Sequence, residues 1–424
     1  MNFDEKKYLP RLADETIKKY LQVFGAISVE GPKWCGKTWS SSVHAKSFAY
    51  LDDDLTRDSA EFDANLILNE PYPKLIDEWN LVPKIWDKVR RKCDENSKTG
   101  QFILTCSTTL DDERKKKIYH SGAGRIGKIK MYTMSLYESK DSSGEASLQS
   151  MYEGTQKNIN VTIPSLKELA NLIIRGGWPG NLNKSDDTID IIPKSYIESI
   201  LDKDINDDKN RNKNKMRTLI KSLARNESTI VNKETIIKDI KENNDREEII
   251  ENRQTVEDYL DVLDRLHFTE NQEAYSENYR SSKRVGKSPK RHLTDPSLVC
   301  AALNLTSDKL VSDLKTFGFL FESLVERDLR IYIEYLGGKL YHFRDNVSGL
   351  EIDAILEFAN GDYAAVEIKL GYNAYEEAKK NLIKFSDSMI KKPKFMCVIT
   401  GNFNSVVKDP ETGIYILPIT SLKP

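Results

Sequence analysis

Up to about Glu138, apolar positions cluster in short runs that end in polar residues: Ala26–Gly31, Ser47–Asp53, Lys74–Glu78 and Gln101–Ser107. That pattern predicts buried parallel strands ending at a site. The stretches between can supply crossover helices, so an α/β layer architecture is expected. Lys140–Asn160 is rich in Ser, Glu, Gln and Gly and predicts a linker. Residues 161–202 predict helix, broken at Gly176-Gly177-Trp178-Pro179-Gly180. Asp202–Lys215 is almost entirely charged or amide and predicts an exposed loop or helix end. Residues 216–300 hold three helical patterns and then a basic, turn-rich stretch. From about Lys309 the expected order is a long helix, three strands, a helix and a further strand. The implied segments are 1–140, 141–215, 216–305 and 306–424.

The clearest alternation lies near the C-terminus. Leu350, Ile352, Ala354, Leu356 and Phe358 share one strand face, and Ala364, Val366, Ile368 and Leu370 share a face of the next strand. Asn360-Gly361 between them signals a hairpin. For both apolar faces to meet one core, even positions must oppose even positions. That demands an odd-length loop such as Ala359-Asn360-Gly361, and it sets Asp353 beside Glu367, with Lys369 on the same face.

Composition narrows the function classes. The 424 residues carry 64 Lys+Arg against 66 Asp+Glu, a net charge of -2, which excludes a globally basic nucleic-acid coat protein but not a local basic patch. No apolar run approaches the ~20 residues of a membrane span, and the N-terminal stretch lacks a signal-peptide core. The five cysteines are scattered without a CxxC, which argues against a disulfide framework or zinc cluster and makes a reducing cytoplasm the expected compartment.

Gly31-Pro32-Lys33-Trp34-Cys35-Gly36-Lys37-Thr38 matches GxxxxGK[ST] in full, after a predicted strand and before a helix-capable stretch. The glycines let successive N–H groups point at phosphate oxygens. Lys37 would reach the β and γ phosphates, Thr38 would ligate magnesium, and the helix N-terminus adds positive potential. Downstream, the Lys74–Asp77 run ends in Asp77-Glu78, the pattern of an acid that holds magnesium followed by one that polarises water. ATP and Mg2+ are the expected cofactors. Thr105 and Ser107 end another strand, where a hydroxyl either orients water or caps the strand end. Arg125, after Gly122-Ala123-Gly124, either reaches a phosphate, in cis or from a neighbouring copy in a homo-oligomer, or is a surface arginine in a turn.

Asp353, Glu367 and Lys369 have the chemistry of a magnesium-dependent nuclease: two hard carboxylates for a divalent ion, and a lysine to stabilise charge. The predicted helix Phe317–Leu336 adds Glu322 and Glu326, one turn apart, as further acids. The alternative is an amphipathic hairpin with solvated charges. Ser222–Ile240 and Arg253–Leu266 read as the helices of a winged helix-turn-helix, with Phe268–Tyr275 as a wing strand. Residues 280–291 carry Arg280, Lys283, Arg284, Lys287, Lys290 and Arg291 and no acid, so a basic wing would contact phosphates without reading sequence. Against that, Glu257, Asp258, Asp261 and Asp264 line the recognition-helix candidate, which suits a protein partner better than a major groove.

Taken together, the chain resembles the bacterial and archaeal AAA-type ATPases fused to a winged helix and a C-terminal restriction-endonuclease-like domain. The resemblance rests on the phosphate-loop and Asp77-Glu78 motifs, Phe102–Ser107, Gly124-Arg125, Arg175–Gly180, Ser222–Asn226, Thr255–Leu266, Asp295–Val299, Leu320–Arg330, His342–Asp345, Gly349–Ile355 and Ala364–Gly371. It implies a RecA/AAA-like parallel sheet, a helical and winged-helix middle, and a PD-(D/E)XK C-terminal fold. It also places Lys37, Thr38, Asp77 and Glu78 in the nucleotide site, and Glu322, Asp353, Glu367 and Lys369 in a nuclease constellation. Cys106 departs from the family's usual glycine, and residues 241–252 form an extra charged stretch. Three functions follow as expectations: an ATPase coupled to DNA binding or cleavage, a nucleotide-switched binding protein that does not cut, and a partner-regulating module without nucleic acid.

Overall fold

The computed structural model describes residues 7–204, 212–242, 253–277 and 289–424. The chain divides into two compact units, Met1–Thr133 with Leu263–Phe268, and Met134–Val262 with Thr269–Pro424.

In the smaller unit, β1 (Ala26–Glu30), β2 (Ser47–Tyr50), β3 (Lys74–Asp77), β4 (Phe102–Cys106) and β5 (Ile126–Lys130) form one sheet in the order β2-β3-β4-β1-β5. Every pairing is parallel, and Glu30 lies in register with both Cys106 and Lys130. A parallel sheet is covered on both faces, so alternate residues feed two cores. Ile27, Val29, Leu75 and Ile103 pack with Ile17 of the helix Leu12–Val23. Ala26, Ile76, Phe102 and Leu104 pack with Ile85, Trp86, Val89 and Cys93 of the helix Lys84–Asn96. All five strands run out at the same edge, and there the phosphate loop and Asp77-Glu78 emerge, where α/β sheets place ligands.

In the larger unit, eight strands form a mixed sheet: β7 (Ile159–Asn160), β13 (Ser405–Lys408), β14 (Tyr415–Pro418), β12 (Phe395–Thr400), β11 (Tyr363–Lys369), β10 (Glu351–Glu357), β9 (Lys339–Arg344) and β8 (Glu273–Ala274), in that spatial order. The hairpin register is the one the alternation predicts: Ala354 opposes Val366 and Leu356 opposes Ala364. The turn is three residues long, closed by the Phe358 N–H donating to the Asp362 carbonyl at 2.8 Å, with Gly361 at φ 78°.

Two of these expectations need correction. The outer face of the hairpin is not solvated: Ile355, Tyr363 and Ala365 bury against the helix Tyr375–Ser388, while Ala354, Leu356, Ala364 and Val366 are buried as well, and the helix Leu314–Tyr335 packs against β9, β10 and β11. A β-bulge between Ile352 and Ile355 also breaks the strict alternation beside Asp353. Second, Lys140–Asn160 is not simply a linker. It contributes β6 (Ala146–Ser147), paired with β15 (Leu422–Lys423), the helix Leu148–Glu153, and β7 at the edge of the large sheet. The expected helix break at Gly176–Gly180 is present, and the segment is also an anchor. A Cβ on Gly177 would lie 2.1 Å from the Met134 carbonyl oxygen, and Trp178 is fully buried, its Nε1 donating to Ser297 Oγ at 2.9 Å.

The middle of the chain holds the helices Lys213–Arg225, Lys233–Glu242 and Arg253–Arg265, followed by antiparallel bridges Thr269–Leu293 and Gln272–Lys290. Of the predicted basic loop, Arg280, Lys283, Arg284 and Lys287 lie outside the described residues, as does most of the charged stretch 241–252. Lys290 is no part of a solvated loop: it is buried, because its strand is bridged to Gln272 and its side chain turns into acids.

Candidate functional site

The phosphate loop leaves β1 and turns back into the helix Lys37–Val43. Gly36 has φ 101° and Trp34 φ 63°, left-handed conformations that a tight loop requires. Gly31 is needed for a different reason from turning. A Cβ there would lie 2.1 Å from the Met131 carbonyl oxygen, so β5 and the loop close on each other only over glycine. The Lys37 ammonium is buried and donates to the Pro32 carbonyl at 2.8 Å across the loop. Cys35 is buried beneath it and Trp34 stays half exposed. Arg11 carries no signal in the sequence, but its guanidinium donates to the carbonyls of Cys35 at 2.8 Å, Tyr132 at 2.9 Å and Thr133 at 3.2 Å. It pins the loop backbone from below, and no local pattern announces such a contact across 24 and more residues.

Asp77 ends β3 directly beside the loop. The Thr38 hydroxyl donates to Asp77 Oδ1 at 2.9 Å, and the Thr105 hydroxyl donates to the same oxygen. Glu78 has φ 52°, and its Oε2 accepts the Ser107 N–H at 3.2 Å. Thr105 and Ser107 thus position the two acids. Burial raises the pKa of both Asp77 and Glu78, against the nearby Lys37 charge and their hydrogen bonds. A buried and a half-buried acid, a hydroxyl and an ammonium at one strand edge fit a magnesium–nucleotide: hard oxygen donors for the cation and donors for phosphate.

Arg125 is not brought to this edge. Its carbonyl accepts the Ala26 N–H at 3.1 Å, so it sits where β1 begins, at the far end of the sheet from Gly31. Its Nε binds Asp94 Oδ1 instead, on a half-exposed surface.

In the larger unit, Asp353, Glu367 and Lys369 meet. Lys369 Nζ lies 2.6 Å from Glu367 Oε2 and 3.2 Å from Asp353 Oδ2, and the Ile368 N–H donates to Asp353 Oδ2 at 2.7 Å. Glu367 is almost fully buried; burial and the neighbouring Asp353 charge raise its pKa, only partly offset by Lys369. Glu322 and Glu326 project from the helix Leu314–Tyr335 onto Lys290, whose Nζ contacts Glu322 Oε1 and lies 3.0 Å from Glu326 Oε1. His292 bridges Glu227 Oε1 and Glu326 Oε2, each at 2.9 Å. Ser323 Oγ donates to Glu227 at 2.8 Å. His292, Glu227 and Gln272 escaped the sequence reading, and Lys290 read only as a cation of the basic loop. The only local signal was the two-residue spacing of Lys290 and His292, which sets both on one strand face. Among the described residues, no three His, Cys, Asp or Glu side chains converge as metal ligands would, because lysines stand between the acids.

Residues 24–140 match the family model described as an AAA domain. Residues 166–309 match a domain of unknown function, DUF8612, and residues 317–422 match another, DUF4143. The chain therefore carries a P-loop ATPase domain of AAA type, a class that binds and hydrolyses ATP. No curated protein matches. Among solved structures, the chain is similar to the Walker-type ATPase PABY2304 of Pyrococcus abyssi, at 10% identity over 71% of this chain and 96% of that one, with a TM-score of 0.41. It is also similar to the Orc1 protein of Aeropyrum pernix in complex with DNA, at 11% identity over 73% and 96% with a TM-score of 0.23, and to a DNA replication initiation factor, at 12% over 60% and 90% with a TM-score of 0.22. No helix among the described residues is long and apolar enough to cross a membrane.

Proposed function

We propose that the chain is a magnesium-dependent ATPase whose nucleotide cycle is coupled to nucleic acid through a winged-helix middle and a nuclease-like C-terminal domain. The carrying observation is the 2.9 Å bond between the Thr38 hydroxyl and Asp77 Oδ1, which joins the phosphate loop to the acid-ending strand. Lys37 exchanges its Pro32 carbonyl for phosphate oxygens and offsets their charge. Gly31–Thr38 supplies backbone N–H groups that orient the phosphates. Thr38 and Asp77 would hold magnesium, which would supply positive charge to offset that of the phosphates. Glu78, set by the Ser107 N–H, orients the attacking water, since enzymes of this kind work by positioning and electrostatics.

For the C-terminal domain, the cluster of Asp353, Glu367 and Lys369 supports metal-assisted phosphodiester chemistry, with Glu322 as a further acid. A second reading, nucleic-acid or protein binding without cleavage, is favoured by the lysines already neutralising those acids. A nuclease assay with magnesium and ATP on DNA and RNA forms, comparing wild type with Asp353→Ala, separates the two. ATP turnover lost in Glu78→Gln while ATP is still bound tests the nucleotide site; wild-type protein without an ATP-dependent thermal shift refutes it.

A further inference from the structure

A phosphate loop turns its N–H groups toward the anion, so its carbonyls face away and need donors of their own. The Cys35 carbonyl finds one in Arg11 Nη1, at 2.8 Å. A trans peptide group is planar, with its N–H pointing opposite to its carbonyl. A guanidinium that holds the Cys35 carbonyl therefore turns the Gly36 N–H to the other side of the loop. Arg11 is itself firmly placed. Its Nη2 donates to the carbonyls of Tyr132 at 2.9 Å and Thr133 at 3.2 Å, on the stretch that leaves β5. Its backbone N–H donates to Asp14 Oδ2 at 2.8 Å and its carbonyl accepts the Asp14 N–H at 3.0 Å, which fixes it to the first turn of the helix Leu12–Val23. The residue is only 6% exposed. The same stretch after β5 also holds the start of the loop, because the Met131 N–H donates to the Glu30 carbonyl at 2.8 Å. The planar fork of an arginine spans both sets of carbonyls at once, whereas a lysine is a point charge on a flexible stem.

We infer that Arg11 is a positioning residue for nucleotide binding: by holding the Cys35 carbonyl it aims the Gly36 N–H at the phosphates. This rests on the reading of Gly31–Thr38 as the nucleotide site. Arg11 acts through the peptide group between Cys35 and Gly36, and no bond is made or broken in the chain.

Cys35-Gly36 is the only Cys-Gly pair in the sequence. Protein isotope-labelled at the cysteine carbonyl carbon and the glycine nitrogen therefore gives one carbonyl-filtered amide NMR signal, that of Gly36. Titration of the full chain with magnesium and a non-hydrolysable ATP analogue should move this signal downfield in wild type. In Arg11→Met the movement should be lost and the Kd for the analogue, read by calorimetry, should weaken at least about tenfold, the scale of a lost charge-assisted hydrogen bond. Arg11→Lys keeps the charge and should fall between the two; it also covers the case in which the methionine variant does not fold. A merely structural arginine would lower the thermal midpoint and leave the affinity and the Gly36 signal of the folded variants as in wild type, and that result overturns the proposal. So does a wild-type Gly36 signal that stays still while the analogue binds, or a chain that folds with neither substitution, which makes Arg11 a folding requirement. Lys37→Ala separates the two readings. If it binds the analogue as wild type does, the nucleotide-site reading falls and this proposal with it. If it loses the analogue while both Arg11 variants keep wild-type affinity, only the assignment of Arg11 falls.

Discussion

The bridge from His292 to two buried glutamates should make the larger unit lose stability as pH rises. His292 is 4% exposed, with Nδ1 2.9 Å from Glu227 Oε1 and Nε2 2.9 Å from Glu326 Oε2. Burial pushes its pKa down, but Glu326 and Glu227 more than reverse that and hold it up at about 9, against 6.5 for a free histidine. A histidine that binds its proton more tightly folded than unfolded contributes fully below pH 6.5, and the contribution disappears as pH climbs through about 9. At ~1.36 kcal/mol per unit, that gap amounts to ~3 kcal/mol. His292→Gln keeps the hydrogen-bonding capacity and removes the charge. The comparison is urea unfolding of wild type and variant from pH 6 to 9.5, read by amide-exchange protection of the helix Leu314–Tyr335 after correction for intrinsic exchange. Wild type should be more stable by ~3 kcal/mol at pH 6 and by little at pH 9.5. A difference that stays constant across that range would refute the buried imidazolium.

Lys37→Ala should abolish ATP hydrolysis and weaken binding, whereas Glu78→Gln should retain ATP and lose turnover, as phosphate-release and nucleotide-binding assays would show. Gly31→Ala must displace the Met131 carbonyl, now 2.1 Å from the added Cβ; it should cost ~1–3 kcal/mol in thermal unfolding and disturb ATP binding. Asp353→Ala with Glu367→Ala should remove divalent-metal binding by the C-terminal domain while its circular dichroism is retained. Lys369→Ala should lose any cleavage while Mn2+ still binds; cleavage at the wild-type rate would exclude Lys369 from the chemistry.

The nucleotide site was legible because its parts are local. A phosphate loop needs its glycines, lysine and threonine within eight residues, and an apolar run ending in Asp77-Glu78 shows its exit from the sheet in its own composition. The hairpin register was legible too: a period of two leaves one pairing that sets even positions opposite even ones, and Ala354 opposes Val366 as that pairing requires. Tertiary structure decided what lies far apart in sequence. Arg125 has the right neighbours in sequence for a phosphate contact, yet a parallel strand carries its start and its end to opposite edges, and Arg125 just precedes β5 at the edge away from Gly31, which removes the contact in cis. Lys290 reads as one cation among six, and only pairing with Gln272 turns it into the acids of a helix 32 and 36 residues on. Charge and spacing along a chain specify which chemistry is available, but burial sets whether a charge faces water or another charge, and burial is fixed by strands and helices that meet only once the chain has folded.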